Sequence, residues 1–236
     1  MPTVKNIVLV HGAWADASSW SKIIPLLQAK GYHVTAVHSP LTSVAEDVAA
    51  THRIINAQDG PVLLAGHSYG GAVITEAGNN PKVAGLVYVA AFAPDEGETL
   101  GGMAKNFPTT PAFGEIHPIE DGFLLLTAKG VTEDFAQDLS PSEKSVMVAT
   151  QSATQGALLG TPITAAAWRT KPSWFVIAEN DRTISPEQER STAKRMGANI
   201  LSLPTSHVAM LAEPGKVADF MMEAAASFSA GVATAR

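Results

Sequence analysis

The chain has no cysteine, which removes disulfides, thiolate metal sites and thiol nucleophiles together and fits a reducing compartment. Charge is sparse: 16% of the 236 residues are Asp, Glu, Lys or Arg, acids outnumber bases 22 to 16, and the net charge is −6. No cluster of Lys and Arg stands ready to neutralise phosphates, so nucleic acid is not an expected partner. No uninterrupted apolar stretch approaches the roughly 20 residues of a membrane span. Met1-Pro2-Thr3-Val4-Lys5 passes at once into the apolar run Ile7 to Val10, without the charged, hydrophobic and cleavage regions of a secretory signal. The expectation is a cytoplasmic protein with neither membrane nor nucleic-acid partner; a homodimer is left open. Repeats and low-complexity tracts are absent as well, and 46% hydrophobic residues at this length suffice for one domain with a large core.

What is present is alternation. Short apolar runs at Ile7 to Val10, His33 to Val37, Val62 to Ala65, Val83 to Val89, Trp174 to Ala178 and Ile200 to Leu203 are separated mostly by segments of helical period. Such alternation predicts the α/β class: a mostly parallel sheet of about six to seven strands with right-handed crossovers and helices on both faces. Ser43-x-x-Glu46 and Ser185-Pro186-x-Gln188 have the form of capping boxes, and Gly31 and Gly197 suit left-handed helix stops. The alternation breaks between Pro94 and Thr170, where prolines and glycines punctuate isolated apolar clusters such as Phe123-Leu124-Leu125-Leu126, with a helix-like run from Ser142 to Gln155. That stretch is too long for a loop and apolar enough to pack. Residues 1–93 and 171–236 are therefore expected to form one core, with 94–170 inserted as a mainly helical lid.

Within this pattern one stretch names a nucleophile. Val62-Leu63-Leu64-Ala65 runs into Gly66-His67-Ser68-Tyr69-Gly70-Gly71 and then into the helical Ala72, Val73, Ile74 and Ala77. A serine on a sharp strand-to-helix turn projects its hydroxyl above the sheet edge, and only small residues two positions either side let the backbones approach. A serine hydroxyl needs a positioned base and an orienting acid. His207, after the last predicted strand and before the terminal helix, is the candidate base. His33 and His38 flank an early strand, His52 lies mid-helix, His117 falls in the insertion, His67 is inside the turn and His11 is read as structural. Asp181, at the end of the strand through Ala178, is the candidate acid, giving the chain order Ser, Asp, His; Asp95 is its competitor. Backbone N–H groups of Tyr69, next after the nucleophile, and of Ala13, in the turn His11-Gly12-Ala13-Trp14, are the candidate oxyanion donors.

Val8-Leu9-Val10-His11-Gly12-Ala13-Trp14, Gly66-His67-Ser68-Tyr69-Gly70-Gly71, Glu179-Asn180-Asp181 with Ile184-Ser185-Pro186, and His207-Val208-Ala209-Met210-Leu211 ahead of Glu213-Pro214 together resemble the α/β-hydrolase superfamily. Within it they are similar to the branch of plant methyl-salicylate-type esterases and hydroxynitrile lyases and to small bacterial carboxylesterases. The resemblance spans both halves of the chain and leaves only the insertion unmatched. It implies ester hydrolysis rather than cyanohydrin cleavage, because the lyases carry a lysine at the position of Val208 to handle the departing cyanide. Dehalogenases and epoxide hydrolases of the same fold place aspartate where Ser68 stands. The expected substrate is a small neutral ester, short-chain or aromatic, or a lactone, bound by Gly12, Trp14, Phe107, Leu124, Leu158, Trp168, Val208 and Met210 in an apolar pocket without a charged anchor. No metal and no organic cofactor is expected: no histidine pair has zinc spacing, and Gly101-Gly102 lacks a dinucleotide-site context. Other chemistry on the same triad (carbon-carbon cleavage, amide hydrolysis, perhydrolysis) and a small-molecule-binding role are the alternatives.

Overall fold

The computed structural model describes residues 4–228. In chain order its principal elements are β1 (Asn6–Val10), α1 (Ile23–Gln28), β2 (His33–Val37), α2 (Val44–Ala57), β3 (Val62–His67), α3 (Tyr69–Ala77), β4 (Val83–Val89), α4 (Leu100–Ala104), β5 (Ile116–Pro118), β6 (Phe123–Leu126), α5 (Pro141–Thr150), β7 (Thr154–Gln155), β8 (Ser173–Ala178), α6 (Pro186–Met196), β9 (Asn199–Leu203), α7 (Ala209–Ala212) and α8 (Pro214–Ser227). Six strands pair in the order β2-β1-β3-β4-β8-β9, and every pairing among them is parallel.

Burial along the strands explains why they read as continuous apolar runs. β1, β3 and β8 are buried at every position, as strands covered on both faces must be. Ile7, Leu9, Leu63, Ala65, Val87 and Val89 join one core with Phe220 and Met221 of α8. Their alternates Val8, Val10, Leu64, Leu86 and Tyr88 join a second core with Ile55 of α2 and Val73 of α3. The edge strands β2 and β9 are partly exposed and more polar.

The strand order turns back on itself between β1 and β3: the chain first adds β2 on one side of β1, then crosses to add β3 on the other. Loops leaving the C-terminal ends of two strands diverge at such a switch point, and ligands bind in the crevice they open. The loop His11 to Trp14 after β1 and Ser68 after β3 both lie at this point.

Gly31 and Gly197 adopt φ of +83° and +64°, as left-handed helix stops require. Ser43 caps α2 by accepting from the Glu46 N–H at 3.2 Å. The Glu46 carboxylate takes the Thr42 hydroxyl instead of reaching back to the Ser43 N–H, and Ser185 makes no capping bond with its side chain, so the first expected capping box is half formed and the second is not formed. A complete box appears instead at Ser140 and Glu143, at the start of α5. Residues 94–170 are more mixed than expected, because β5, β6 and β7 form a three-stranded antiparallel sheet. The Phe123 to Leu126 cluster is its middle strand; a four-residue apolar run carries no periodicity that separates strand from helix.

Candidate active site

Ser68 joins β3 to α3 with φ 54° and ψ −123°. A non-glycine residue there costs on the order of 1–3 kcal/mol and persists only where its surroundings over-determine it. The Ser68 N–H donates to the Val89 carbonyl at 3.2 Å, and its own carbonyl accepts from Gly71 N at 2.9 Å and Phe92 N at 3.2 Å. The flanking glycines make the turn possible. A Cβ on Gly66 would lie 2.5 Å from the Gly70 carbonyl oxygen, and one on Gly70 would lie 2.6 Å from the carbonyl oxygens of both Val10 and His11.

Beside this turn lies a buried acid–base pair. The His207 Nδ1 donates to Asp181 Oδ2 at 2.5 Å, and neither side chain has exposed surface. Asp181 Oδ1 accepts from the N–H groups of Thr183 at 2.6 Å and Ile184 at 3.0 Å. The two loops are tied together through Asn180, whose N–H donates to the Thr205 carbonyl at 3.1 Å and whose Nδ2 donates to the Pro204 carbonyl at 3.0 Å. Asp138 takes the Ser206 N–H at 2.6 Å. With Nδ1–H committed to Asp181, His207 Nε2 carries a lone pair, and it has no hydrogen-bond partner. A buried, orphaned imidazole nitrogen is costly to the fold and free to take a proton.

The other buried histidines have different roles. His67 donates from Nε2 to the His207 carbonyl at 3.0 Å, its ring centroid 4.7 Å from that of His207. Burial first, then the neighbouring His207, pushes its pKa well below the ordinary histidine value, so it stays neutral. His11 accepts from the Ser39 N–H at its Nε2, 3.1 Å away, and donates from Nδ1 to the Gly12 carbonyl at 2.9 Å. It holds the turn after β1 against the loop after β2, and burial lowers its pKa too.

Tyr69 is anchored from behind. Its phenol donates to Asp47 Oδ2 at 2.6 Å, while Asp47 Oδ1 accepts from the Leu41 N–H at 2.9 Å. Desolvation raises the Asp47 pKa above the ordinary carboxylate value, and burial together with Asp47 raises that of the phenol, which remains a neutral donor. Tyr69→Phe is expected to cost about 1–3 kcal/mol at neutral pH, because Asp47 is left buried with one partner fewer. Burial raises the folded-state pKa of Asp47 and the Tyr69 hydrogen bond opposes that rise, so the variant has the higher folded pKa; the penalty is full above it and fades as pH falls from there through the wild-type folded pKa, where Asp47 is protonated in both proteins. Urea unfolding of both proteins across that range checks it; a penalty independent of pH would contradict the assignment.

Ser68 lines a cavity of about 480 Å³ together with Ala13, Trp14, Tyr69 and Phe107, a size suited to a small organic ligand. Of the other expected binding residues, Gly12 has no side chain to offer, but a Cβ there would lie 2.7 Å from Ser68 Cβ. Leu124, Leu158, Trp168, Val208 and Met210, expected at the pocket, do not line this cavity. Leu124 sits in β6, its carbonyl accepting from Trp14 Nε1 at 3.2 Å. Leu158 is buried in the core on the α2–α3 face of the sheet, where one face of a short 3₁₀ turn points inward, and the neighbouring Leu159 faces the cavity instead. Trp168 packs into the same core, with its Nε1 donating to the Pro94 carbonyl at 2.9 Å. Val208 and Met210 belong to the core beneath α7 and α8. Phe92, Leu100, Phe113 and Ile116 complete much of the apolar lining, and Lys105 is its one charged member. Phe92 had a signal, standing three residues beyond the end of β4 at the same sheet edge as Ser68; the others lie in the insertion, where no motif marks them.

Asp95, the competing acid, lies elsewhere: it pairs with Arg169, whose Nε donates to Asp95 Oδ1 at 2.6 Å, and that partner pulls its pKa below the ordinary value.

Comparison with known proteins extends this picture. The family described as "Alpha/beta hydrolase family" matches residues 7–220. An alpha/beta hydrolase, nvfD, of Aspergillus novofumigatus is 29% identical over 93% of this chain and 96% of its own. Methylesterase 8 of Arabidopsis thaliana is 23% identical over 95% and 91%. Among solved structures, a pyrethroid hydrolase from Sphingobium faniae superposes with a TM-score of 0.79 at 25% identity, covering 99% of this chain and all of that one. Among the described residues, no helix is long and apolar enough to cross a membrane.

Proposed function

The chain belongs to the alpha/beta hydrolase family, and from that premise we propose that it hydrolyses small neutral carboxylic esters, short-chain or aromatic, or lactones, through an acyl-enzyme on Ser68. The observation that carries this is the conjunction of a strained serine opening onto an apolar cavity and a buried Asp181–His207 pair with a bare Nε2. The names methylesterase and pyrethroid hydrolase among its relatives agree with an ester substrate.

In the proposed reaction Ser68 Oγ attacks the ester carbonyl carbon as His207 Nε2 takes the hydroxyl proton. Asp181 keeps the imidazole in the Nδ1–H tautomer and stabilises the imidazolium. The N–H groups of Ala13 and Tyr69, both residues of the cavity wall, receive the developing oxyanion. Collapse of the tetrahedral intermediate expels the alcohol, which takes the proton from His207. Water then enters, His207 removes its proton, and a second tetrahedral intermediate releases the carboxylic acid and restores Ser68. Residues 94–170 serve as the lid over this chemistry. The apolar lining favours uncharged acyl and alcohol groups, with Lys105 at an exposed position of the wall.

The test is a panel of methyl and aryl esters with graded acyl chains, followed from the first turnover. An initial burst of alcohol equal to the enzyme concentration, with the acyl mass on the peptide containing Ser68, is expected for aryl esters whose deacylation is slow. The chain length at which turnover collapses measures the cavity. No turnover above buffer and no adduct would discard the proposal in favour of ligand binding or another reaction.

A further inference from the structure

Behind Asp181, on the first turns of α6, lies a carboxyl group that the proposed reaction does not use. Glu189 has no exposed surface. Its Oε2 accepts from the Ala178 N–H at 3.0 Å, and its Oε1 meets no donor. The Ala178 carbonyl in turn accepts from the Asp181 N–H at 3.1 Å, so both acids are tied to one residue at the end of β8, and the buried side chain of Asp181, itself an acceptor, neighbours that of Glu189. Two carboxylates cannot both be charged at such range without water between them.

The donors decide which one keeps the proton. Asp181 already receives Thr183 N–H, Ile184 N–H and His207 Nδ1–H, whereas Glu189 receives Ala178 N–H. Glu179, also nearby, adds negative charge, although Arg190 pairs with it. We propose that Glu189 is a positioning residue: a neutral carboxylic acid whose hydroxyl donates to the Asp181 carboxylate and fixes its orientation toward His207. Desolvation and the Asp181 charge both drive the Glu189 pKa well above the usual carboxylate value. This positioning role rests on the triad assignment of the preceding section.

The experiment compares the wild-type protein with Glu189→Gln and Glu189→Leu. The infrared spectrum at neutral pH is expected to hold the carbonyl band of a protonated carboxylic acid that disappears in Glu189→Gln. Glu189→Gln, which keeps shape and a donor, is expected to retain kcat within about threefold. Glu189→Leu, which loses the donor, is expected to lose about 10- to 100-fold in kcat at little-changed KM. If Glu189→Leu does not fold, the band and the Glu189→Gln kinetics decide. No change in the band, a Glu189→Gln loss as large as that of Glu189→Leu, or no loss in Glu189→Leu would overturn the proposal. Absence of ester turnover in the wild type would strike the esterase assignment alone, since the band reports the proton without turnover.

Discussion

Ser68→Ala is expected to lower kcat by a factor on the order of 10⁶, with the unfolding midpoint nearly unchanged. In the proposed mechanism the loss is large because the nucleophile, the base and the acid act as one unit: without Oγ, the lone pair on His207 Nε2 has no proton to take, and the Asp181–His207 bond orients an imidazole with no task. The fold survives because the backbone of Ser68, rather than its hydroxyl, makes the bonds to Val89, Gly71 and Phe92. Alanine also meets the same positive-φ strain as serine. Residual hydrolysis is expected to remain above the uncatalysed rate, since Ala13 and Tyr69 could still polarise a bound carbonyl. Steady-state kinetics with an aryl ester, paired with urea unfolding, makes the comparison. A variant retaining a tenth of the activity would remove Ser68 from the mechanism.

Asp181→Asn is expected to cost about 10⁴ in kcat, while Asp95→Asn leaves it unchanged. Asparagine fits the space, but its amide placed toward His207 would favour the tautomer with the proton on Nε2, where the lone pair is needed. Its oxygen could still receive the Thr183 and Ile184 N–H groups, so the loop should keep its shape and the defect should lie in kcat rather than KM. Asp95 pairs with Arg169 on the surface side of the insertion, and removing one exposed ion pair is worth little. Loss of turnover in Asp95→Asn with retention in Asp181→Asn would exchange the two assignments.

The proposed triad is legible in the sequence because each candidate member sits where a strand ends. Ser68, Asp181 and His207 follow β3, β8 and β9, strands whose apolar runs are bounded clearly enough to locate their C-terminal edges, and a parallel sheet brings those edges to one side. The cavity wall is far less legible. Leu158 and Leu159 are chemically identical neighbours, and the phase of a short 3₁₀ turn decides which one faces the cavity. Trp168 has the composition of a ligand contact but finds its hydrogen-bond acceptor in the Pro94 carbonyl and two guanidinium groups, of Arg169 and Arg195, over its ring. Val208 and Met210 follow the candidate base His207 so closely that they look like site residues, yet the turn into α7 carries both into the core. Glu189 and Asp47 lie on helices whose sequences read as ordinary amphipathic patterns. Only the tertiary fold shows that the acidic side chain faces inward.

The division of the cavity between the two parts of the chain has an evolutionary corollary. Ser68, Asp181 and His207 hang from the main sheet, and Asn180 fastens the acid loop to the base loop, but residues 94–170 brace both loops: Gln137 Nε2 donates to the Asn180 carbonyl at 2.7 Å and Asp138 accepts the Ser206 N–H at 2.6 Å. Leu100, Phe107, Phe113, Ile116 and Leu159, which line the cavity, all come from within that insertion. If the proposed function holds, exchanging those side chains one at a time would redraw the catalogue of accepted molecules while the candidate reacting atoms keep their places. A wholesale graft of the insertion would also remove Gln137, Asp138 and Phe135, whose ring centroid lies 4.8 Å from that of His207, so the proposed chemistry and the choice of substrate are separable side chain by side chain rather than by exchange of the whole segment.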